Sequence, residues 1–242
     1  MYSPKIKRYQ KKFDYTYAFG AYPVLDLLKY YPQNIYTVLF KKEGLKSDGV
    51  EEILKICQEK GINTEVNDRA IDKISVKENT YVVGVFKKYE SKLEDSTNHL
   101  VLVNPSNMGN MGTVIRTMLG FGFRDLGIIK PSVDIFDPLV IRSTMGAIFN
   151  IHFEFFNNIE EYIKRFPKQN IYSFMLNGSK NIRDIKFEKP YTLIQGNEST
   201  GLEDKYLELG ESIYIPHSKE IDSLNLSVAT AIGLWEARRD EE

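Results

Sequence analysis

The sequence contains a single cysteine, Cys57, and only three histidines among its 242 residues. One cysteine cannot form an intramolecular disulfide, and it cannot supply a cysteine-rich zinc site. No apolar run approaches the roughly 18 residues of a membrane-spanning helix, and the first residues are charged, without the apolar stretch of a secretory signal. We therefore expect a soluble, cytoplasmic protein without a metal cofactor and without a membrane partner.

The sequence also lacks an excess of charge of either sign. It has 32 Lys and Arg residues against 33 Asp and Glu residues, a formal net charge of −1. This balance excludes a surface that is basic throughout, so any binding of nucleic acid must use a local patch. A hydrophobic fraction of 42% is that of a globular protein, and the length suffices for one large or two small domains.

One basic patch lies near the N-terminus, in the stretch from Tyr2 to Tyr17. Its cations are interspersed with aromatic residues, a composition that suits phosphate neutralisation and base stacking. The predicted RNA-binding cations are Lys5, Lys7, Arg8, Lys11 and Lys12. The neighbouring aromatic residues are Tyr2, Tyr9, Phe13 and Tyr15. The alternative is a solvated, frayed terminus that is basic without a partner, and the segment on its own favours that alternative.

Apolar, β-branched segments alternate with helical patterns along the chain. The predicted strands are Ile35–Phe40, Tyr81–Phe86, Leu100–Val103, Leu126–Ile129, Ile171–Met175, Thr192–Ile194 and Ile213–Ile215. Residues Gly49–Glu59 place apolar side chains on one face of a helix, and Cys57 is among them, so we expect it to be a core residue. Apolar strands separated by helices are typical of an α/β fold with a mostly parallel sheet.

A polar stretch, residues 88–98, is followed abruptly by the apolar run that begins at Leu100. Such a change of composition is typical of a domain boundary. It predicts a small N-terminal α/β domain, residues 1–92, and a larger C-terminal α/β domain, residues 97–242.

Three segments after this boundary carry residues suited to chemistry. The first, residues 104–116, follows a strand, crosses a glycine-rich turn and enters a helix. Its glycines allow a ligand to approach the backbone, and N–H groups at the start of a helix attract anions. Arg116 lies in that helix, where a guanidinium can bind a phosphate through two hydrogen bonds. An ordinary salt bridge on the helix surface explains this arginine equally well.

The second segment, residues 192–202, carries Glu198 just after a strand, at the edge where open α/β sheets bind ligands. A simple helix start, with Ser199 or Thr200 as the N-cap, is the alternative explanation of this turn.

The third segment, residues 213–229, runs from a short strand through a polar loop into the last helix. Ser223 is the predicted N-cap of that helix. Asn225 lies in the first turn of an apolar helix, where an amide is expected to have a hydrogen-bonding task.

These residues carry a resemblance to a known family. In chain order, Asn110-x-Gly112-x-x-x-Arg116, Gly196-Asn-Glu198-x-x-Gly201 and Ser223-Leu-Asn225-x-Ser227 resemble the three motifs of the SpoU (TrmH) RNA methyltransferases of the SPOUT class. Residues Arg142–Ala147 resemble the helix that links the first two motifs in that family. The likeness covers residues 100–240, and the ordered set of three motifs makes it specific. The first ninety residues more loosely resemble the small α/β RNA-binding domain that often precedes this catalytic domain.

The resemblance implies a SPOUT domain with a deep trefoil knot, S-adenosylmethionine (SAM) as methyl donor, and a homodimer. It also implies methyl transfer to a ribose 2′-hydroxyl of structured RNA, either ribosomal or transfer RNA. The implied catalytic residues are Asn110, Arg116, Glu198, Ser223 and Asn225, and the implied SAM-binding residues are Gly196, Ile215 and Leu224. Because a guanidinium stays protonated in proteins, we expect Arg116 to hold a phosphate and stabilise a developing alkoxide rather than act as a base.

Two other functions are compatible with the same scaffold. One is a non-catalytic RNA-binding or ribosome-assembly factor, against which the joint presence of Arg116, Glu198 and Asn225 argues. The other is methylation of a base, against which the third motif argues by analogy. Asn104 stands where many relatives have aspartate, which leaves the choice of RNA open. The role of His217, beside the expected SAM loop, is open as well.

Overall fold

The structure is a computed structural model of the chain, and it describes residues 4–75 and 79–239. The chain forms two compact units. The first unit contains the chain up to Tyr89 together with Asp134–Asn150, and the second contains Glu90–Val133 and the chain from Ile151 onward. No helix among the described residues is long and apolar enough to cross a membrane.

The strands and helices follow one another in nearly regular alternation. In chain order they are β1 (Tyr15–Phe19), α1 (Ala21–Tyr30), β2 (Ile35–Phe40), α2 (Asp48–Lys60), β3 (Thr64–Val66), α3 (Asp68–Ile74), β4 (Val82–Lys87), β5 (His99–Val103), α4 (Met108–Gly120), β6 (Asp125–Ile129), α5 (Pro138–Ser143), β7 (His152–Phe156), α6 (Ile159–Arg165), β8 (Asn170–Phe174), β9 (Lys180–Asn181), β10 (Tyr191–Gln195), β11 (Glu211–Tyr214) and α7 (Leu226–Ala237).

The segment Asp134–Asn150 differs from the sequence prediction, which assigned it to the C-terminal domain. In the first unit its aromatic residues Phe136 and Phe149 contact Phe86, with ring centroids 6.4 and 5.4 Å apart. This buried aromatic packing holds the segment against β4. The linking helix expected over residues 142–147 ends at Ser143, because the following residues include two with left-handed φ angles of 53° and 98°.

The sheet of the first unit has four strands in the order β1-β4-β2-β3. β4 is antiparallel to both β1 and β2, whereas β3 runs parallel to β2. One face packs against α1, and a Cβ atom on Gly84 would lie 2.9 Å from a methyl group of Leu27. α2 packs on α1. The opposite face is covered by α3 and by residues 4–13, which we call the N-terminal strap.

The second unit contains seven strands, all parallel, in the order β7-β6-β5-β10-β8-β11-β9. The central strands β5, β6 and β10 are buried along their whole length. Apolar strands buried on both faces are what a parallel sheet covered by helices requires. The predicted α/β fold with a mostly parallel sheet is confirmed in this unit.

All seven predicted strands are present, with ends that shift by at most two residues. Four further strands, β1, β3, β7 and β9, were not predicted. β1 overlaps the stretch that the sequence presents as a basic terminus, and β3 and β9 are too short to give a period-two pattern. The helix predicted around Cys57 is α2, where full burial raises the pKa of the thiol to about 11 and confirms a core residue.

Candidate active site

The first two motifs follow neighbouring strands of the second unit. β5 and β10 pair in parallel, with Leu102 opposite Gln195 near their carboxyl ends. Because parallel strands end at the same edge, the loops that follow β5 and β10 emerge side by side. β6 and β7 lie on one side of β5 and the later strands on the other, and such a switch point is where open α/β sheets bind ligands.

The carboxylate of Glu198, in the loop after β10, binds the loop after β5. Its Oε2 accepts hydrogen bonds from the backbone N–H of Ser106 at 3.0 Å and from the Ser106 hydroxyl at 2.8 Å. Its Oε1 accepts from the backbone N–H of Asn107 at 3.1 Å and from Nδ2 of Asn110 at 3.3 Å. Four donors therefore hold both oxygens of this carboxylate at the start of α4.

These contacts also set the protonation state of the carboxylate. Partial burial raises the pKa of Glu198, but hydrogen bonds from Ser106, from its own backbone and from Asn110 together lower it more. The net pKa lies below the usual range, so Glu198 is ionised at neutral pH and is a poor proton acceptor.

The side chain of Asn110 connects Glu198 with the third motif. Its Nδ2 donates to Glu198, while its Oδ1 accepts a hydrogen bond of 3.1 Å from Nδ2 of Asn225. One continuous chain of hydrogen bonds thus passes through all three motifs, although Asn110 and Asn225 are 115 residues apart. Three of the five predicted catalytic residues are brought together in this way.

The start of the last helix differs from its prediction. Asn225, not Ser223, is the N-cap of α7, since its Oδ1 accepts hydrogen bonds from the backbone N–H and the hydroxyl of Ser227 at 2.9 and 2.7 Å. The capping prediction at Ser223 is wrong because a helix must begin where a side chain reaches the N–H two or three residues later. Ser223 is exposed and lies two residues before this cap.

The turn after β10 is not a helix start either. Oδ1 of Asn197 accepts from the backbone N–H groups of Ser199 and Thr200, and Asn197 and Gly201 form a β-bridge. Nδ2 of Asn197 donates to the carbonyl of Asn104 at 2.6 Å. This local hydrogen bonding closes a tight turn, which fixes the position of the following glutamate and excludes the alternative explanation, a helix start capped by Ser199 or Thr200.

Arg116 lies in the third turn of α4 and is exposed. Its guanidinium forms no hydrogen bond or ion pair with any residue in the ranges 4–75 and 79–239. The surface salt bridge that the sequence offered as an alternative is therefore not formed within the described part of the chain. The exposed guanidinium is available to a ligand.

A cavity of about 820 Å³ opens at the ends of β8, β10 and β11. Its lining includes Gly196, Ile215 and Leu224, the three residues expected to bind SAM, and also Ser223. A Cβ atom on Gly196 would lie 2.2 Å from the carbonyl carbon of Gly201, so no larger residue fits there. Within the described residues, no group of three or more His, Cys, Asp or Glu side chains is arranged to hold a metal ion.

The motifs belong to a defined protein family. The model of the SpoU rRNA Methylase family matches residues 97–235. The chain belongs to the SpoU rRNA methylase family. The family recognised from the sequence is thereby confirmed.

Two relatives illustrate how far the similarity extends. The 23S rRNA (guanosine(2553)-2′-O)-methyltransferase RlmP of Bacillus subtilis is 25% identical over 210 residues, which cover 81% of this chain and 84% of that protein. The uncharacterized tRNA/rRNA methyltransferase slr1673 of Synechocystis is 28% identical over 145 residues, 59% of this chain. This second match spans 53% of the relative, about half of its length.

Solved structures extend the comparison to the fold. The AdoMet-bound rRNA methyltransferase from Sinorhizobium meliloti has a TM-score of 0.79 and 28% identity, covering 94% of this chain and 88% of its own. A structure described as an insight into 2-OH methylation of C/U34 on tRNA has a TM-score of 0.57 and 25% identity, covering 61% of this chain and 98% of its own. The predicted class of enzyme, an RNA methyltransferase, agrees with these neighbours.

In this SpoU-family chain the predicted RNA-binding cations lie on the strap of the first unit. All five predicted cations are exposed: Lys5, Lys7, Arg8, Lys11 and Lys12. The strap is docked rather than frayed, because the hydroxyl of Tyr17 donates to the carbonyl of Lys7 at 2.5 Å and that of Tyr15 donates to the carbonyl of Lys5 at 2.8 Å.

The aromatic residues of the strap have a different role from the predicted one. Phe13 is stacked on Tyr15 with centroids 5.0 Å apart, and the hydroxyl of Tyr9 donates to the carboxylate of Asp134. Both rings pack on the sheet, so they are not free to stack on bases. Tyr2 lies outside the described residues.

Sequence reasoning missed several residues that hold the site together. Ser106 and Asn107 provide three of the four hydrogen bonds to Glu198. Asn107 is also the N-cap of α4, accepting from the backbone N–H of Asn110 at 3.0 Å. Its place three residues before Asn110 at the start of a periodic segment is an N-cap signal that was available in the sequence. The contact of Ser106 with a glutamate 92 residues away had no such signal.

Proposed function

We propose that this chain transfers the methyl group of SAM to a ribose 2′-hydroxyl of ribosomal RNA. The observation that carries the proposal is the hydrogen-bonded chain Glu198–Asn110–Asn225, which joins the three family motifs beside a cavity. The named activity of the Bacillus subtilis relative supports the reaction, and the AdoMet-bound neighbour supports the methyl donor.

The cavity fits SAM in several respects. Gly196 permits backbone approach where a side chain has no room, while Ile215 and Leu224 offer apolar contacts. Gln195 also lines the cavity, and its buried Nε2 has no hydrogen-bond partner among the described residues. A ligand with both polar and apolar parts satisfies such a lining. When bound there, SAM supplies an electrophilic methyl group on a positively charged sulfur.

Each motif residue has a distinct proposed task. The free guanidinium of Arg116 binds the phosphate beside the target ribose and stabilises the developing alkoxide. An amide nitrogen carries two hydrogens; Asn225 donates one to Asn110, and the other binds the ribose oxygen. Ser223 orients the same hydroxyl. Glu198 is a positioning residue, because its oxygens are already saturated by donors of the loop after β5.

The share of this chain that each relative matches favours ribosomal RNA over transfer RNA as the substrate. The relative named for 23S rRNA matches 81% of this chain, so the match extends beyond the family domain into the first unit. The structure concerned with tRNA position 34 covers only 61% of this chain, although 98% of that protein is included. Part of the first unit is thus matched in the ribosomal RNA enzyme, which supports a role for this unit in choosing that RNA.

The strap supports a role for the first unit in RNA binding. Its five cations are exposed while its backbone is held by tyrosine hydroxyls, so little conformational entropy is lost when a phosphate backbone is bound. Such contacts position RNA without reading its sequence.

We also propose a homodimer that is formed through the second unit and has a knotted SAM site. α7 is apolar on its exposed side as well as its buried side, with Val228 47% and Trp235 61% exposed. A helix that is apolar all round is normally covered on both sides. Ribosomal RNA is a cytoplasmic substrate, so the proposed reaction belongs in the cytoplasm.

Transfer of labelled methyl from SAM into unmodified ribosomal and transfer RNA tests the activity. We expect label in ribosomal RNA and, after digestion to nucleosides, on ribose. Arg116→Ala should lower turnover by about 10²–10³-fold, the usual effect of removing a transition-state donor. Arg116→Lys should restore little of it, since an ammonium cannot form the paired hydrogen bonds of a guanidinium. Arg183→Ala, at an exposed arginine of the same unit outside the motifs, is the matched control.

The other outcomes are equally informative. Label only in transfer RNA would overturn the choice of substrate and keep the reaction. Label on a base would assign base methylation. Absence of SAM binding in calorimetry, with RNA binding intact, would favour the non-catalytic RNA-binding factor.

A further inference from the structure

The strap shares its face of the first sheet with α3. Ile71 and Ile74 of α3 are buried in the same apolar cluster as Tyr15 and Tyr17 of β1. Three strap residues, Ile6, Tyr9 and Phe13, pack against that cluster. Strap and helix therefore form one continuous covering on the side of the sheet opposite α1.

A hydrogen bond joins these two elements at the surface. Nε of Arg8, in the strap, donates to the backbone carbonyl of Lys73 at 3.2 Å. Carbonyls in the last turn of a helix lack intrahelical partners and attract cations. The contact brings Arg8 of the strap directly to the C-terminal end of α3.

The charges of α3 are separated around the helix. Its two aspartates are engaged near the end of β2, where Asp72 pairs with Nζ of Lys41 at 2.6 Å and Asp68 accepts from the backbone N–H of Lys42 at 2.9 Å. Arg69 and Lys73, four residues apart and thus on one side of the helix, are exposed. Neither forms an ion pair with any residue in the described ranges.

The chemistry of this surface suits a phosphate backbone. Arg8 of the strap contacts the last turn of α3, which carries Lys73, and the aromatic rings of the strap are occupied by contacts with the sheet. A surface with exposed cations but without free rings neutralises phosphates and does not stack bases.

We propose that Arg69 and Lys73 extend the strap into one two-element surface that binds the phosphate backbone of RNA. This inference rests on the proposed RNA-methylating function and adds the helix to its binding surface. The surface acts before chemistry, since it holds the RNA and leaves SAM binding in the second unit unchanged.

The test compares two variants, each of which removes two positive charges from the first unit. Arg69→Gln/Lys73→Gln removes two cations from the proposed surface, and Lys55→Gln/Lys60→Gln removes two exposed cations from α2, which packs with α1 on the other side of the sheet. The full chain is titrated into fluorescein-labelled double-stranded RNA of mixed sequence over a series of KCl concentrations. Thermal unfolding confirms that each variant is folded, and calorimetry measures its affinity for SAM.

We expect the α3 variant to bind RNA roughly tenfold more weakly at low salt, with the slope of log affinity against log salt reduced by about 1.5. The α2 control should keep the wild-type slope, and SAM affinity should be unchanged in both. Equal slopes for the α3 variant and its control would overturn the proposal.

A third variant separates this failure from failure of the proposed function. If Lys5→Gln/Lys7→Gln reduces the salt slope while the α3 variant does not, the strap binds RNA and the extension to α3 is wrong. If neither variant changes the slope, RNA binding by this face is wrong altogether. The methyl-transfer assay, which depends on the second unit, then decides the activity independently.

Discussion

At the scale of single residues, both oxygens of the Glu198 carboxylate are held by donors from the loop after β5 and from the start of α4. This glutamate lies in a family motif, yet its geometry leaves no oxygen for a proton or a substrate. Its charge instead orients Asn110, and Asn110 orients Asn225. We therefore expect any effect of Glu198 on catalysis to act through these two amides.

Glu198→Gln tests this positioning role. In this variant an NH2 group replaces one of the two carboxylate oxygens. In either orientation it faces N–H or O–H donors and cannot accept from them, so we expect a loss of about 1–3 kcal/mol in the free energy of unfolding. Turnover should fall because Asn110 is no longer held, while SAM binding persists. Glu203→Gln, which breaks only an exposed pair with Lys205, is the control. Urea unfolding and methyl transfer measure the two effects.

The pH dependence of stability gives a second test of the same residue. A carboxylate whose pKa is depressed in the folded state stabilises the fold above its unfolded pKa of about 4.3. That contribution is lost as the pH falls through the lower pKa of folded Glu198. The difference in unfolding free energy between wild type and Glu198→Gln should therefore narrow below pH ~4.3. A constant difference down to acid pH would contradict the assigned protonation state.

Gly196→Ala tests the close backbone approach in the cavity. An added Cβ would lie 2.2 Å from the carbonyl carbon of Gly201, so the turn must move. We expect a destabilisation of about 1–3 kcal/mol and a loss of SAM affinity measurable by calorimetry. Gly120→Ala, where a Cβ meets nothing within 4 Å, should change neither quantity appreciably. Normal SAM affinity in Gly196→Ala would contradict this account of the cavity.

At the scale of secondary-structure elements, the strap is part of the first unit's core. Its backbone is anchored by Tyr15 and Tyr17, and its apolar residues cover the sheet. Deleting residues 1–12 would therefore destabilise the unit in addition to removing cations. Charge-neutralising substitutions separate these two effects, whereas truncation does not.

Tyr17→Phe tests the anchoring. The hydroxyl of Tyr17 donates to the carbonyl of Lys7 and accepts from its N–H, and both bonds are lost without any change in charge. We expect about 1–3 kcal/mol of destabilisation in urea unfolding, together with faster proteolysis of the strap. Tyr22→Phe, at a side chain that is 68% exposed, should stay within about 0.5 kcal/mol of wild type. Equal stability of the two variants would mean that the strap is not anchored by this residue.

Element prediction succeeded where the pattern is local and failed where a tertiary contact decides. The seven apolar strands and the helix around Cys57 follow from periodicity alone. The N-cap of α7 was misplaced at Ser223 because two polar residues compete for it, and only the backbone geometry selects Asn225. β1 was missed because its neighbouring cations resemble a solvated terminus, whereas in the fold its residues are buried against strap, sheet and helices.

At the scale of the whole molecule, the exposed apolar side of α7 supports the proposed homodimer. Trp235→Asp places a charge where we expect a partner subunit. In sedimentation velocity this variant should shift towards the monomer, with unchanged circular dichroism. Tyr22→Asp, an equally drastic change on an exposed aromatic residue of the first unit, should sediment like wild type. A wild-type chain that sediments as a monomer would remove the dimer from the proposal.

The sequence by itself determined the family, the α/β class, five of the seven strands in the sheet of the second unit and the identity of the motif residues. These depend on local periodicity and on short ordered patterns that survive without knowledge of the fold. The tertiary structure decided that β5 and β10 are neighbours, that Glu198 is saturated by Ser106 and Asn107, and that Asp134–Asn150 packs with the first unit. Contacts between residues about ninety positions apart depend on the order of strands in the sheet, which no local pattern encodes.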